Sequence, residues 1–262
     1  MKDLDSGDAG NSAAYSINNA VQIAGGYSAS GSDTSGFLYA AGNVTVLNQA
    51  AHGRANAINN AGQIVGDLST GLGPARQAFV WNAGRVLDLG TLGGLGSEAR
   101  AINDSGQVAG WAHLDSGVMH AFLYSGTGLT DLGTLGGKNS VAYGLNNAGE
   151  VVGMSQTGEN GVQHAFLYKQ LAMIDLSTLG GNESQANGIN DSGWIVGWSR
   201  TSGGEQRAFL WRTGRMVDLN SLVSAGPGIW LEEATAINAA GQIAANASDG
   251  HAYLITLPLE PR

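Results

Sequence analysis

Short apolar runs, each ended by glycine or an Asn/Asp-rich turn, recur along the whole chain. The stretch from Asp88 to Tyr124 shows the unit most cleanly, reading DLGTLGGLGSEARAINDSGQVAGWAHLDSGVMHAFLY. An Ile/Leu-Asn pair marks six copies, at Ile17-Asn18, Ile58-Asn59, Ile102-Asn103, Leu145-Asn146, Ile189-Asn190 and Ile237-Asn238, spaced 41 to 48 residues apart. A period of roughly 40–45 residues is the length of a four-stranded propeller blade. Turn residues cut the third copy into four strand-like pieces, Glu98–Asn103, Gln107–His113, Met119–Tyr124 and Leu129–Leu132. Between the first two pieces lies Asn-Asp-Ser-Gly or a relative of it. An Asn or Asp early and a Gly last suit a type I turn with a bulge, which makes the pair a hairpin. The first copy departs from this, with Val21 where the others carry Gly.

The third pieces, GFLY, AFVW, AFLY, AFLY, AFLW and AYLI, are aromatic and aliphatic, as a strand covered on both faces should be. A fourth strand ends before a Gly-rich turn in the first five copies but is missing from the sixth. Lys2-Asp3-Leu4 carries the same Asp-Leu pattern at the other end of the sequence. The expectation is therefore an all-β, six-bladed β-propeller of four-stranded blades, closed by an N-terminal strand at Lys2-Leu4 that completes the last blade. The chain reads as a single domain, 1–262, with blades at 13–48, 53–90, 97–133, 140–177, 184–220 and 233–257 plus 1–4. An open solenoid competes, but it calls for polar capping repeats that neither end supplies.

Composition agrees with strands and tight turns, with 42 glycines and only 13% charged residues. A formal charge of -9, with twelve basic residues scattered singly, argues against nucleic acid or an anionic membrane surface as a partner. No run is long enough for a membrane-spanning helix, and cysteine is absent, which excludes disulfides and thiolate sites. The opening MKDLDSGDAGN has no apolar leader core.

His120-Ala121-Phe122 and His164-Ala165-Phe166, the variants at Gln77, Arg207 and His251, and the Asp-Leu-Gly/Ser-Thr-Leu-Gly-Gly runs at 88–94, 131–137 and 175–181 form one pattern. It resembles the signature of the HAF-type bacterial "extracellular repeat" proteins. The resemblance implies a repeat β architecture and an extracellular or cell-surface location. It brings no catalytic residues, and an extracellular location would require a leader removed from this chain.

Letters present in every copy serve what every copy shares. The His of His-Ala-Phe is replaced by Gln or Arg, a tolerance that suits a polar strand-end contact and not a metal ligand. The recurrent Asp (Asp3, Asp88, Asp131, Asp175, Asp218) is placed to accept backbone N–H groups of the following turn. The Thr-Leu-Gly-Gly turns offer amides to an anion without a helix or base to help. The Asn-Asp-Ser-Gly turns lack the alternating carboxylates of a calcium loop. No metal site and no cofactor are expected.

Functional chemistry is sought where the copies differ. Four residues before the Ile/Leu stand Ala13, Arg54, Glu98, Val141, Gln185 and Glu233. Two before it stand Tyr15, Asn56, Arg100, Tyr143, Asn187 and Thr235. Alternation of period two puts these on one strand face, toward a central channel. A second variable position, Gly26, Asp67, Trp111, Met154, Trp198 and Asn246, follows the Gly of the second strand. Trp111 and Trp198 suit sugar stacking or the filling of space between blades. Trp230, in the longest insertion, is the expected exposed aromatic.

The candidate ligand-binding set is Tyr15, Arg54, Asn56, Glu98, Arg100, Tyr143, Gln185, Asn187, Glu233 and Trp230. The expected function is a secreted or surface-associated binding module for a small-molecule or glycan ligand, a neutral carbohydrate or similar polar molecule. The alternatives are a hydrolase or lyase using Glu98 and Glu233 as acid and base with Arg100, and a structural interaction scaffold.

Overall fold

The computed structural model describes residues 11–28, 34–47, 52–69 and 75–257. The expected strand at Lys2-Leu4, Asn48 and the tail from 258 lie outside these. The chain divides into two compact units, Met1–Asp131 and Leu132–Arg262. No helix among the described residues is long and apolar enough to cross a membrane.

The first unit holds three antiparallel sheets, each a meander of four consecutive strands. They are β1 (Asn11–Ile17), β2 (Ile23–Ser28), β3 (Ser35–Ala40) and β4 (Asn43–Val46); β5 (Gly53–Ile58), β6 (Ile64–Ser69), β7 (Arg76–Asn82) and β8 (Arg85–Gly90); and β9 (Gly93–Ile102), β10 (Val108–Leu114), β11 (Met119–Tyr124) and β12 (Leu129–Asp131). The second unit repeats the plan with β13 (Ser140–Leu145), β14 (Val151–Gln156), β15 (Gln163–Lys169) and β16 (Ala172–Asp175); β17 (Gly180–Ile189), β18 (Ile195–Thr201), β19 (Gln206–Arg212) and β20 (Arg215–Asp218); and β21 (Leu231–Ile237), β22 (Gln242–Ala247) and β23 (Ala252–Thr256). Its last sheet shows three strands among the described residues. Within each unit the first strand of a sheet packs against the first three strands of the sheet before it, as β5 does on β1, β2 and β3, and β17 on β13, β14 and β15.

The core explains the repeated letters. Phe37, Phe79, Phe122, Phe166 and Phe209 on the third strands are at most 2% exposed. Each is paired with a second-strand glycine, as Phe122 is with Gly110 and Phe166 with Gly153. A Cβ at Gly110 would lie 1.9 Å from the Glu98 carbonyl oxygen, so the position admits no side chain without rearrangement. In the sixth sheet the two change together, to Ala245 facing Tyr253.

The hairpin turns are as expected. In the second copy Gly62 N–H donates to the Asn59 carbonyl and Asn59 N–H to the Gln63 carbonyl, both at 3.0 Å. Val21 makes the same turn bond to Asn18 (3.0 Å) while holding φ at 59°, a left-handed conformation that its Gly counterparts reach without strain.

The conserved-letter side chains also join neighbouring sheets. Asn18 Nδ2 donates to the Asn59 carbonyl and Asn59 Nδ2 to the Asn103 carbonyl, each at 3.0 Å. In the second unit Asn146 reaches Asn190 O (3.2 Å) and Asn190 reaches Asn238 O (3.1 Å). His120 and His164 pair within their sheets with Asp131 and Asp175. Asp88, Asp175 and Asp218 accept the N–H two residues on, at 2.7–2.8 Å. In the Gly-rich turns Thr91 Oγ1 donates to Gly94 O and accepts from Gly93 N–H, which leaves that amide engaged.

Candidate functional site

The simple alternation expected of the first strands does not hold. In every sheet the first two strands slip by one residue, between Ala14 and Ser16, Ala55 and Ala57, Ala99 and Ala101, Ala142 and Gly144, Ala186 and Gly188, and Ala234 and Ala236. The unpaired residue is Tyr15, Asn56, Arg100, Tyr143, Asn187 or Thr235, so one of the two variable positions is a β-bulge throughout. A bulge re-aims its side chain and breaks period two. The other variable position is the cross-strand partner of the variable residue on the second strand. Ala13 faces Gly26, Arg54 faces Asp67, Glu98 faces Trp111, Val141 faces Met154, Gln185 faces Trp198 and Glu233 faces Asn246. The two columns are matched in chemistry and size, as cross-strand neighbours are.

Bulged asparagines staple adjacent sheets. Asn56 Nδ2 donates to Glu98 Oε1 (3.3 Å) and to Ala99 O (2.9 Å). The second unit repeats this with Asn187 Nδ2 donating to Glu233 Oε1 (2.9 Å) and Ala234 O (3.0 Å), while Gln185 Nε2 donates to Asn187 Oδ1 (2.8 Å). Glu98 also accepts from Arg100 Nε and from the Trp111 indole N–H, both at 3.1 Å. Tyr15 is 49% exposed and Arg54 is exposed, while Tyr143 is half-buried on β13. Trp230 is 47% exposed with the Arg207 guanidinium 4.7 Å over its ring, so one indole face is already covered.

The first unit contains a cavity of about 320 Å³ between its second and third sheets, lined by Asp67, Arg76, Glu98, Trp111 and His113 together with Ala75, Leu95, Gly96 and Ser97. Asp67 on β6 is 4% exposed, and its carboxylate meets Arg76 NH1 at 2.6 Å. Burial pushes the Asp67 carboxyl above its usual range despite that guanidinium, and the negative charge of Glu98 adds to the rise. The Trp111 and His113 rings meet edge to face, with centroids 5.1 Å apart and planes at 76°. His113 Nδ1 is shielded from solvent without a hydrogen-bond partner. Among the described residues no three His, Cys, Asp or Glu side chains gather as a metal site would require.

No family model matches the chain, and no curated protein matches it. Solved structures do. TolB from Acinetobacter baumannii superposes with a TM-score of 0.56 at 16% identity, covering 79% of this chain and 53% of its own, so this chain spans about half the length of that protein. The β-propeller domain of the Trilobed protease from Pyrococcus furiosus gives 0.54 at 11% identity, over 80% of this chain and 69% of that one. The BP39L lectin from Burkholderia pseudomallei gives 0.50 at 10% identity, over 93% and 79%. The fold is a six-bladed β-propeller.

Three blades can be compared around the cavity's two least ordinary residues, Gly96 and His113. In the fourth blade the same positions are Asn139 and Gln156, and Gln156 Oε1 accepts from Asn139 Nδ2 at 3.3 Å. In the fifth they are Glu183 and Arg200, an ion pair at 2.8 Å. In the third blade Gly96 has no side chain to meet His113, and the Arg76 carbonyl oxygen lies 3.0 Å from where its Cβ would stand. Glu98 stands out in the sequence, as do Asp67 and Trp111 at the second variable position, but nothing in it joins them with Arg76, Gly96 and His113. The available signal was non-repetition: Arg76 stands where other blades have Met119, Gln163 and Gln206.

Proposed function

We propose that the protein is a binding module that holds a small, neutral, polar ligand in the cavity between blades two and three, a single sugar ring being the best fit. The observation that carries this is a cavity of about 320 Å³ whose surface is mainly apolar, with the Trp111 indole on its wall and Asp67, Arg76 and Glu98 among its lining residues. That size sits at the lower end of small-molecule sites, which run from roughly 300 to 1,000 Å³. Both carboxylates are already charge-matched, Asp67 by Arg76 and Glu98 by Arg100. A charged ligand would upset that balance, whereas a hydroxyl can donate to a carboxylate and accept from a guanidinium at once. The indole supplies the apolar surface on which the C–H face of a pyranose packs. This puts the proposed site in the groove between two blades instead of the expected central channel, and it keeps Glu98 from the expected set, with Arg100 as that carboxylate's ion-pair partner.

Saturation-transfer NMR with methyl α-D-glucopyranoside, methyl α-D-galactopyranoside and methyl α-D-mannopyranoside tests the reading. At least one should bind, and Trp111→Ala should abolish the signal. A blank panel would count decisively against it.

A second reading is acid–base chemistry on the same ligand. It is favoured by the Asp67 carboxyl, which burial pushes above its usual range and so suits to donating a proton, with Glu98 lining the same cavity. Hydrolysis of a bound aryl glycoside that disappears in both Asp67→Asn and Glu98→Gln would establish it. The resemblance to the HAF-type repeat family adds an extracellular or surface location to the proposal, which protease accessibility on intact cells would check.

A further inference from the structure

We infer that the sugar ring held in this cavity is joined to an apolar aglycone, so that the ligand is a neutral glycoside, and that Leu95 is the residue that selects it. This rests on the binding reading above and names the class of ligand. The lining is mainly apolar, with Asp67, Arg76 and Glu98 as its charged groups. A ring hydroxylated on every side would leave some of its hydroxyls against apolar wall, and a hydroxyl taken out of water without a partner is costly. A ligand with hydroxyls on one part and an apolar group on another meets both kinds of wall.

Leu95 lines the cavity and is 83% exposed. A lone exposed leucine is ordinary, but this one borders an apolar cavity and continues its apolar surface into solvent. The same turn is followed by Lys138 in the fourth blade and Asn182 in the fifth, both exposed, so the repeat itself does not call for an apolar residue here. Nor is the exposure that of a slack loop. Thr91 Oγ1 donates to the Gly94 carbonyl (2.9 Å), Leu92 bridges to Leu114, and a Cβ at Gly94 would fall 2.4 Å from the Leu114 carbonyl oxygen, so the backbone just before Leu95 lies against β10. A leucine fixed by its backbone yet open to water can be covered by a ligand at little cost in ordering. Three residues separate it from Glu98 on β9, up to about 10 Å of strand, which gives an aglycone room beside the ring.

Isothermal titration calorimetry tests this by comparing the three methyl α-D-glycosides with phenyl α-D-glucopyranoside, phenyl α-D-galactopyranoside and phenyl α-D-mannopyranoside. For the sugar that binds best, the phenyl glycoside should have a Kd at least tenfold below that of the methyl glycoside. Tenfold is about 1.4 kcal/mol, which burial of about 55 Å² of apolar surface supplies at about 25 cal/mol/Å². Its binding should also show the more negative heat-capacity change. Leu95→Asn places the fifth blade's residue at an exposed position, so the variant should melt at the wild-type temperature. It should cut the phenyl preference to below threefold and shrink the heat-capacity difference alongside.

If a methyl glycoside binds and its phenyl counterpart binds no more tightly, the aglycone is refuted and the binding reading stands. If Leu95→Asn keeps the tenfold preference, Leu95 is not the selecting residue. If phenol alone binds as tightly as the phenyl glycoside, the cavity takes an apolar ligand without a sugar, and the glycoside proposal is overturned. If none of the six glycosides binds the wild type, the binding reading itself falls and this inference with it.

Discussion

The asparagine side chains that run from sheet to sheet should be the most expensive polar groups to remove, and Asn59 provides the clearest case. It is 3% exposed and makes four side-chain hydrogen bonds. Nδ2 donates to Gln63 Oε1 (2.8 Å) and to Asn103 O in the next sheet (3.0 Å), and Oδ1 accepts from Ala61 N–H (3.1 Å) and Gln63 N–H (2.9 Å). At a net value of about 0.5–1.5 kcal/mol each, four bonds bracket a loss of about 2–6 kcal/mol, and partial re-solvation of the turn places Asn59→Ala near 3 kcal/mol. Against a total stability of about 5–15 kcal/mol this is a large fraction. With a urea slope of about 3 kcal/mol/M it lowers the unfolding midpoint by about 1 M at unchanged slope. Asn238 serves as the internal control. It is exposed and its side chain holds its own turn through Gln242 (2.8 and 2.9 Å), so Asn238→Ala should cost less than about 1 kcal/mol. A midpoint shift below about 0.3 M for Asn59→Ala, or equal shifts for the two variants, would refute the claim that the bond between sheets carries the energy.

Three further outcomes are expected. Val21→Gly should stabilise by about 1 kcal/mol in the same urea assay, because a β-branched residue is relieved from a left-handed turn while only a 63%-exposed side chain is lost. Gly110→Ala should cost more than about 2 kcal/mol, since the new methyl would overlap the Glu98 carbonyl; a midpoint within error of wild type would show that the bulge yields easily. Asp67→Asn tests the burial argument by its sign with pH. A carboxyl whose folded pKa is raised above 3.8 contributes stability below that value and loses it as pH rises through the raised one. The variant should therefore gain on wild type between pH 4 and pH 7, and a relative loss over that interval would mean that the Arg76 attraction outweighs desolvation.

How much was legible follows from the range of each interaction. Periodicity and turn letters encode contacts inside one hairpin, so the six sheets, the third-strand phenylalanines and the roles of Asp88 and His120 could be read from them. The bulge could not, because Tyr15, Asn56 and Arg100 look like ordinary members of an alternating strand. Its cause lies on the neighbouring strand, where a glycine such as Gly66 or Gly110 admits the displaced carbonyl. Glu98 was singled out for failing to repeat, yet its partners Asn56 and Trp111 come from another blade and another strand. Asp67 and Arg76 were invisible as a pair because they meet across a hairpin whose flanking sequence has no counterpart elsewhere in the chain.

The same comparison explains why a site can arise in one blade without weakening the rest. The bonds that join blades come from Asn59 and its equivalents and from Ser97, which accepts from Ala78 N–H and donates to the Gly90 carbonyl of the preceding blade. None of these atoms belongs to the pair at 96 and 113. That pair is an ion pair in one blade and an amide pair in another, and blade packing is retained in both, so its identity is not set by the scaffold. In the third blade the pair is absent, which leaves one unmet imidazole nitrogen on a ring packed edge to face against Trp111, beside the cavity that Asp67 and Arg76 also line. Positions 96 and 113 are thus a place where internal pairing is optional, and of the three blades compared the third is the one that leaves it incomplete.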